Sequence, residues 1–160
     1  MQVINRSDGN VAYHLPELNT RRVFTVGSEK DIDAKELEAL WQTDGGQILI
    51  RNHLLVNDRE WVKAHWDAPI EYFWQNEQIR KCLLEDDIDL FKETLDYAPE
   101  GVIDIIKSMA WRLPLTDLNK IAAIKDKTGF DVLLAIEVMK AESPRQQAST
   151  GTQRRRREEV

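Results

Sequence analysis

Over the first sixty-odd residues, apolar positions come in short runs broken by turn formers, a pattern of strands rather than helices. Val3-Ile4 and Val11-Ala12-Tyr13-His14 flank Asp8-Gly9, a strong tight-turn dipeptide, and predict a first hairpin that Pro16 ends. The β-branched and aromatic run Arg22 to Val26, bounded by Gly27, predicts a third strand. Asp33 and Glu36 have capping-box spacing ahead of Leu37, Leu40 and Trp41, so a short helix is expected there. Gly45-Gly46 is expected to stop it, with Ile48-Leu49-Ile50 and Leu54-Leu55-Val56 supplying one or two further strands.

Beyond position 74 the period becomes helical. Leu84, Ile88, Phe91, Leu95 and Ala98 follow steps of four and three and draw one apolar stripe, which Asp86 or Asp87 can interrupt by capping a new helix. Pro99 suits a first helical turn, and Val102, Ile103, Ile106, Met109, Ala110 and Leu113 line the helix up to Pro114. Thr116 is expected to cap a helix bearing Leu118, Ile121 and Ala122, which Thr128-Gly129 ends; Asp131 then caps a last one with Val132, Ile136 and Met139. Links this short force consecutive helices to pack as neighbours, predicting a compact bundle of four or five short helices. From Ser143 the apolar period disappears, and a flexible tail is expected. The fold class is thus α+β: a β-rich module with one short helix over 1–66, a helical bundle over 67–142 and a basic tail over 143–160.

Composition adds exclusions. With 42% apolar and 31% charged residues in 160, the chain has the profile of a soluble globular protein, able to bury roughly 70% of its unfolded surface. A lone cysteine, Cys82, closes no disulfide within the chain, and neither a signal segment nor a membrane span is visible, so a cytosolic setting is expected. Net charge is −2 over 1–66, −7 over 67–142 and +3 over 143–160. The acidic body repels phosphate backbones, whereas the tail can still make a few contacts to nucleic acid.

Candidate chemistry is sparse. His14, His53 and His65 lack any zinc-ligand spacing, Cys82 has no general base nearby, Gly45-Gly46 matches no phosphate-binding fingerprint, and Glu85, Asp86, Asp87 and Asp89 lack the glycine of a calcium loop. No cofactor or metal is expected. Leu118 to Lys140 has helix-turn-helix spacing, but its second helix offers one Lys and no Arg, Asn or Gln to base edges. An ordinary αα-hairpin accounts for it better.

Two features invite partners. Trp61, Trp66, Tyr72, Phe73 and Trp74 place five aromatics in fourteen residues, either cementing the two modules together or forming a partner-binding patch. Arg154, Arg155, Arg156 and Arg157 form either an interaction arm, able to pair with phosphate or acidic protein surfaces, or a solvated end.

The phrases Val3 to Tyr13, Arg21 to Gly27, Leu95 to Asp104 and Asp126 to Val132 resemble small accessory or structural proteins encoded by tailed bacteriophages. That resemblance implies an assembly component, expressed in the bacterial host cytoplasm and carried in the virion, with other phage structural proteins as partners; it assigns no catalytic residue. The expectation is a non-enzymatic protein-binding component, with Trp61, Trp66, Tyr72 and Trp74 as interface residues and Arg154 to Arg157 as an arm. The alternatives are a nucleic-acid adaptor working through the tail, and an enzyme whose site assembles from His53, His65 and nearby acids.

Overall fold

The computed structural model describes residues 1–142; the Arg154 to Arg157 arm lies outside them. The chain is α+β, with strands confined to its first part and helices filling the rest. Among the described residues five strands form, β1 (Gln2–Asn5), β2 (Val11–Leu15), β3 (Thr20–Phe24), β4 (Glu29–Asp31) and β5 (Leu54–Val56). They build two antiparallel sheets, one ordered β4-β1-β5 and the other the β2-β3 hairpin.

Asp8-Gly9 therefore does not close a hairpin between β1 and β2, contrary to the turn signal. Both edges of β1 are already occupied, by β4 (Val3 opposite Lys30) and β5 (Val3 opposite Val56). The buried Asn5 amide turns the chain out of that sheet, donating to the carbonyls of Gly9, Phe24 and Thr25. The hairpin forms one strand later, across a 3-10 turn at Pro16–Leu18, pairing Val11 with Phe24 and Leu15 with Thr20. Val11, Tyr13 and Leu15 point inward while Ala12 and His14 face out, the period-two pattern of a half-buried strand.

Three helices, rather than one, accompany the strands. α1 (Ala34–Trp41) starts at Asp33, whose carboxylate accepts from the Lys35 amide. Glu36 does not return the bond of a capping box. It is buried and accepts instead from the Tyr13 hydroxyl at 2.8 Å and from Arg22 Nε at 2.9 Å, tying the hairpin to α1. The segment read as a strand at 48–50 is helical: α2 (Asp44–Asn52) begins at Thr43, whose hydroxyl accepts from the Gly46 amide at 2.9 Å. Gly46 does not stop α1 but lets α2 sit against it; a Cβ there would lie 1.9 Å from the Leu40 carbonyl oxygen. Of the three apolar residues, Ile50 is buried and Ile48 exposed, as on a helix surface. α3 (Arg59–His65) is capped by Asp58, which accepts from the Trp61 amide.

Five helices follow among the described residues, α4 (Asn76–Glu85), α5 (Ile88–Tyr97), α6 (Glu100–Arg112), α7 (Leu118–Thr128) and α8 over 132–142. Their boundaries obey the local signals. Asp87 caps α5, Pro99 precedes α6, Gly129 ends α7 in the left-handed conformation and Asp131 caps α8 through the Leu134 amide. The cap of α7 is Asp117, one residue after the expected Thr116, because its carboxylate reaches two first-turn amides, those of Asn119 and Lys120.

Buried side chains fall into two clusters, one running from Val3 to Tyr72 and the other from Ile79 to Val132. Phe73 packs on the first and its neighbour Trp74 on the second. The clusters meet where α6 begins. A Cβ on Gly101 would lie 2.4 Å from the Asn52 carbonyl oxygen and 2.7 Å from that of Arg6, so the glycine permits α6 to press directly on the backbone of the N-terminal part.

Candidate binding cleft between the two cores

The aromatic-rich segment divides between two jobs. Trp61 is buried, meets Trp41 edge-on at 6.0 Å and stacks on His65 at 3.9 Å. The His65 ring in turn has Nδ1 at 2.6 Å from the Trp61 carbonyl oxygen and Nε2 against the Glu38 carboxylate, so both nitrogens are engaged. Trp66 is half-buried and meets Tyr72 edge-on at 4.9 Å, and the Arg51 guanidinium lies against both Trp41 and Trp66. Tyr72 is fully enclosed; its hydroxyl donates to the Leu54 carbonyl and accepts from the Val56 amide, each at 3.0 Å. Burial pushes that phenol up to about 12. Trp61, Trp66 and Tyr72 thus gather in the N-terminal core, while Trp74 faces a cleft.

That cleft has a volume of about 710 Å³, within the range of ligand pockets, and opens between the end of β1, the start of α4 and one side of α6. Ile4, Arg6 and Asp8 come from the first of these, Trp74 and Glu77 from the second, and Ile105, Met109 and Arg112 from the third. Gly27 and Glu29, from the turn into β4 and its first residue, close the rim. The arrangement mixes apolar walls with charges of both signs.

Arg6 is the unusual member. It is 4% exposed, and Nε, Nη1 and Nη2 are all enclosed without a hydrogen-bond partner. Its guanidinium carbon lies 4.7 Å from the centre of the Tyr72 ring, which covers one face and satisfies none of the N–H groups. Burial lowers its pKa to about 10, so the group is still cationic at neutral pH. A buried charge in this state costs on the order of several kcal/mol. No sequence pattern marks it: Asn-Arg-Ser-Asp after a strand reads as an exposed turn, and its burial is tertiary, with Tyr72 over the guanidinium and Gly101 of α6 against its main-chain carbonyl.

The remaining candidates are dispersed. His53 lies 3.8 Å from the Glu100 carboxylate, and His65 has the partners given above. Cys82 is buried in the second core, where desolvation pushes its thiol up to about 11. Asp87 serves as the α5 cap. Among the described residues, no three His, Cys, Asp or Glu side chains are grouped to hold a metal ion, and no helix is long and apolar enough to cross a membrane.

Comparison with family models, with curated proteins and with solved structures finds no match.

Proposed function

We propose that this chain is a non-enzymatic protein-binding component of an assembly, a structural or accessory protein of a tailed bacteriophage that works in the bacterial host cytoplasm and is carried in the virion. The observation that supports it most is the apolar surface of the helical part. On α8, Leu133, Leu134, Val138 and Met139 are all more than 40% exposed, and Leu118 at the start of α7 is 67% exposed. Leu134 and Val138, one helical turn apart, lie on the side of α8 opposite Val132 and Ile136, which face the core. An exposed stripe of this kind is an anchor for a groove or helix on another protein.

In this reading the buried Trp61 and Tyr72 act from within, keeping the N-terminal core rigid, and Trp74 is the member of the aromatic set that a partner in the cleft can touch. Arg154 to Arg157 form the arm that pairs with acidic surfaces of neighbouring subunits. Cross-linking inside assembled particles, followed by identification of the linked peptides, tests the proposal. Links from α8 or Trp74 to a phage structural protein are expected; particles lacking the chain altogether, or links to no other protein, would contradict it.

A further inference from the structure

The reading above leaves the partner's chemistry open, and Arg6 narrows it. Its guanidinium presents donors in the plane of the group, and stacking on Tyr72 occupies only a face, so those enclosed donors are left without a partner. Arg6 belongs to the wall of the inter-core cleft, and Arg112 supplies a second guanidinium there. A cation enclosed without a counter-ion is a high-energy arrangement, relieved when a carboxylate pairs with it. The nitrogens have no solvent-exposed surface, so a carboxylate in the cleft pairs with them only when the groups that enclose Arg6 shift.

The mouth of the same cleft carries the opposite sign. Asp8, Glu29 and Glu77 are all exposed there, three carboxylates against the two guanidiniums. Such a rim repels a polyanion and attracts basic residues, while the interior needs a single negative charge. Resting on the protein-binding proposal, we infer that the cleft takes an acidic side chain, Asp or Glu, carried on a partner segment that is otherwise basic. The carboxylate pairs with Arg6 and the flanking Lys or Arg side chains pair with Asp8, Glu29 and Glu77. The order Arg154-Arg155-Arg156-Arg157-Glu158-Glu159 in this sequence has that chemistry and supplies the probe.

The test titrates a fluorescein-labelled Arg-Arg-Arg-Arg-Glu-Glu peptide into the full chain carrying Glu158→Gln and Glu159→Gln, which removes its own copy of the two carboxylates, and follows fluorescence anisotropy. Saturable binding is expected, weakened roughly tenfold or more by Arg6→Met and to the same extent by Gln in place of both peptide glutamates. Without peptide, Arg6→Met is expected to melt higher than its parent, since it removes an unpaired buried charge at similar volume. Peptide affinity unchanged by Arg6→Met, or unchanged by the Gln peptide, overturns the inference whatever happens to the melting temperature. Should Arg6→Met fail to fold, Glu77→Lys at the exposed mouth takes its place: weaker binding supports the inference and unchanged binding overturns it. Peptide binding that fails while phage structural proteins are still captured removes this inference and leaves the protein-binding reading standing.

Discussion

The Tyr72 hydroxyl donates to the Leu54 carbonyl and accepts from the Val56 amide, closing the side of β5 that faces away from β1. A strand edge left open inside a core would carry unsatisfied backbone groups, and one phenol satisfies two of them. Tyr72→Phe keeps the ring and its edge-on contacts to Trp66 and Phe73 but orphans both groups. Destabilisation of about 1–3 kcal/mol is expected, read as a lower urea midpoint with unchanged slope.

Gly101 marks the place where the helical part meets the backbone of Arg6 and Asn52. Gly101→Ala puts a methyl group 2.4 Å from a carbonyl oxygen that belongs to main chain and cannot swing aside. A loss of about 1–3 kcal/mol or more is expected in thermal or urea unfolding. Gly45→Ala, at a position with open space around it, serves as the control and should be close to neutral or stabilising.

Glu36 makes stability depend on acid. Its hydrogen bond from Arg22 and that from the Tyr13 hydroxyl hold its pKa below the ordinary 4.5. The folded state therefore binds this proton less readily than the unfolded one. The contribution is fully present above about pH 4.5 and is lost as pH falls through the lower, folded value. Urea midpoints measured across this acid range should fall more steeply for the parent than for Glu36→Gln, which has no such proton to take up.

These elements differ in how far the sequence announced them. Asp87, Pro99, Gly129 and Asp131 act on amides or backbone angles within a few residues, so the helices of the bundle were legible from local chemistry alone. The sheets were not. β1 takes its partners from β4 and from β5, some fifty residues away, and no local signal outweighs that pairing. Ile48-Leu49-Ile50 is too short a run to separate strand from helix, and the Thr43 cap, which decides it, was hidden beside a glycine pair that also suits a turn. The cleft was legible only through Trp74, since the burial of Arg6 arises from contacts with Tyr72 and α6.

Cys82 offers a check on the second core. Desolvation pushes its thiol up to about 11, so at neutral pH almost none is thiolate and none is exposed. A disulfide reagent added to the native chain should react at the rate of unfolding, with a full equivalent released in denaturant. Rapid native-state labelling would show that the packing of Ile79, Leu83 and Phe91 around it is looser than described.

Sedimentation velocity on the purified chain, alone and mixed with structural proteins of a tailed bacteriophage, the partners proposed for it, bears most directly on the account as a whole. Co-sedimentation with at least one of those proteins is predicted, together with its loss on Leu134→Asp with Val138→Asp, a pair of substitutions on an exposed face that should leave the melting temperature unchanged. A strict monomer that captures no structural protein, or capture that this double variant leaves intact, would contradict it.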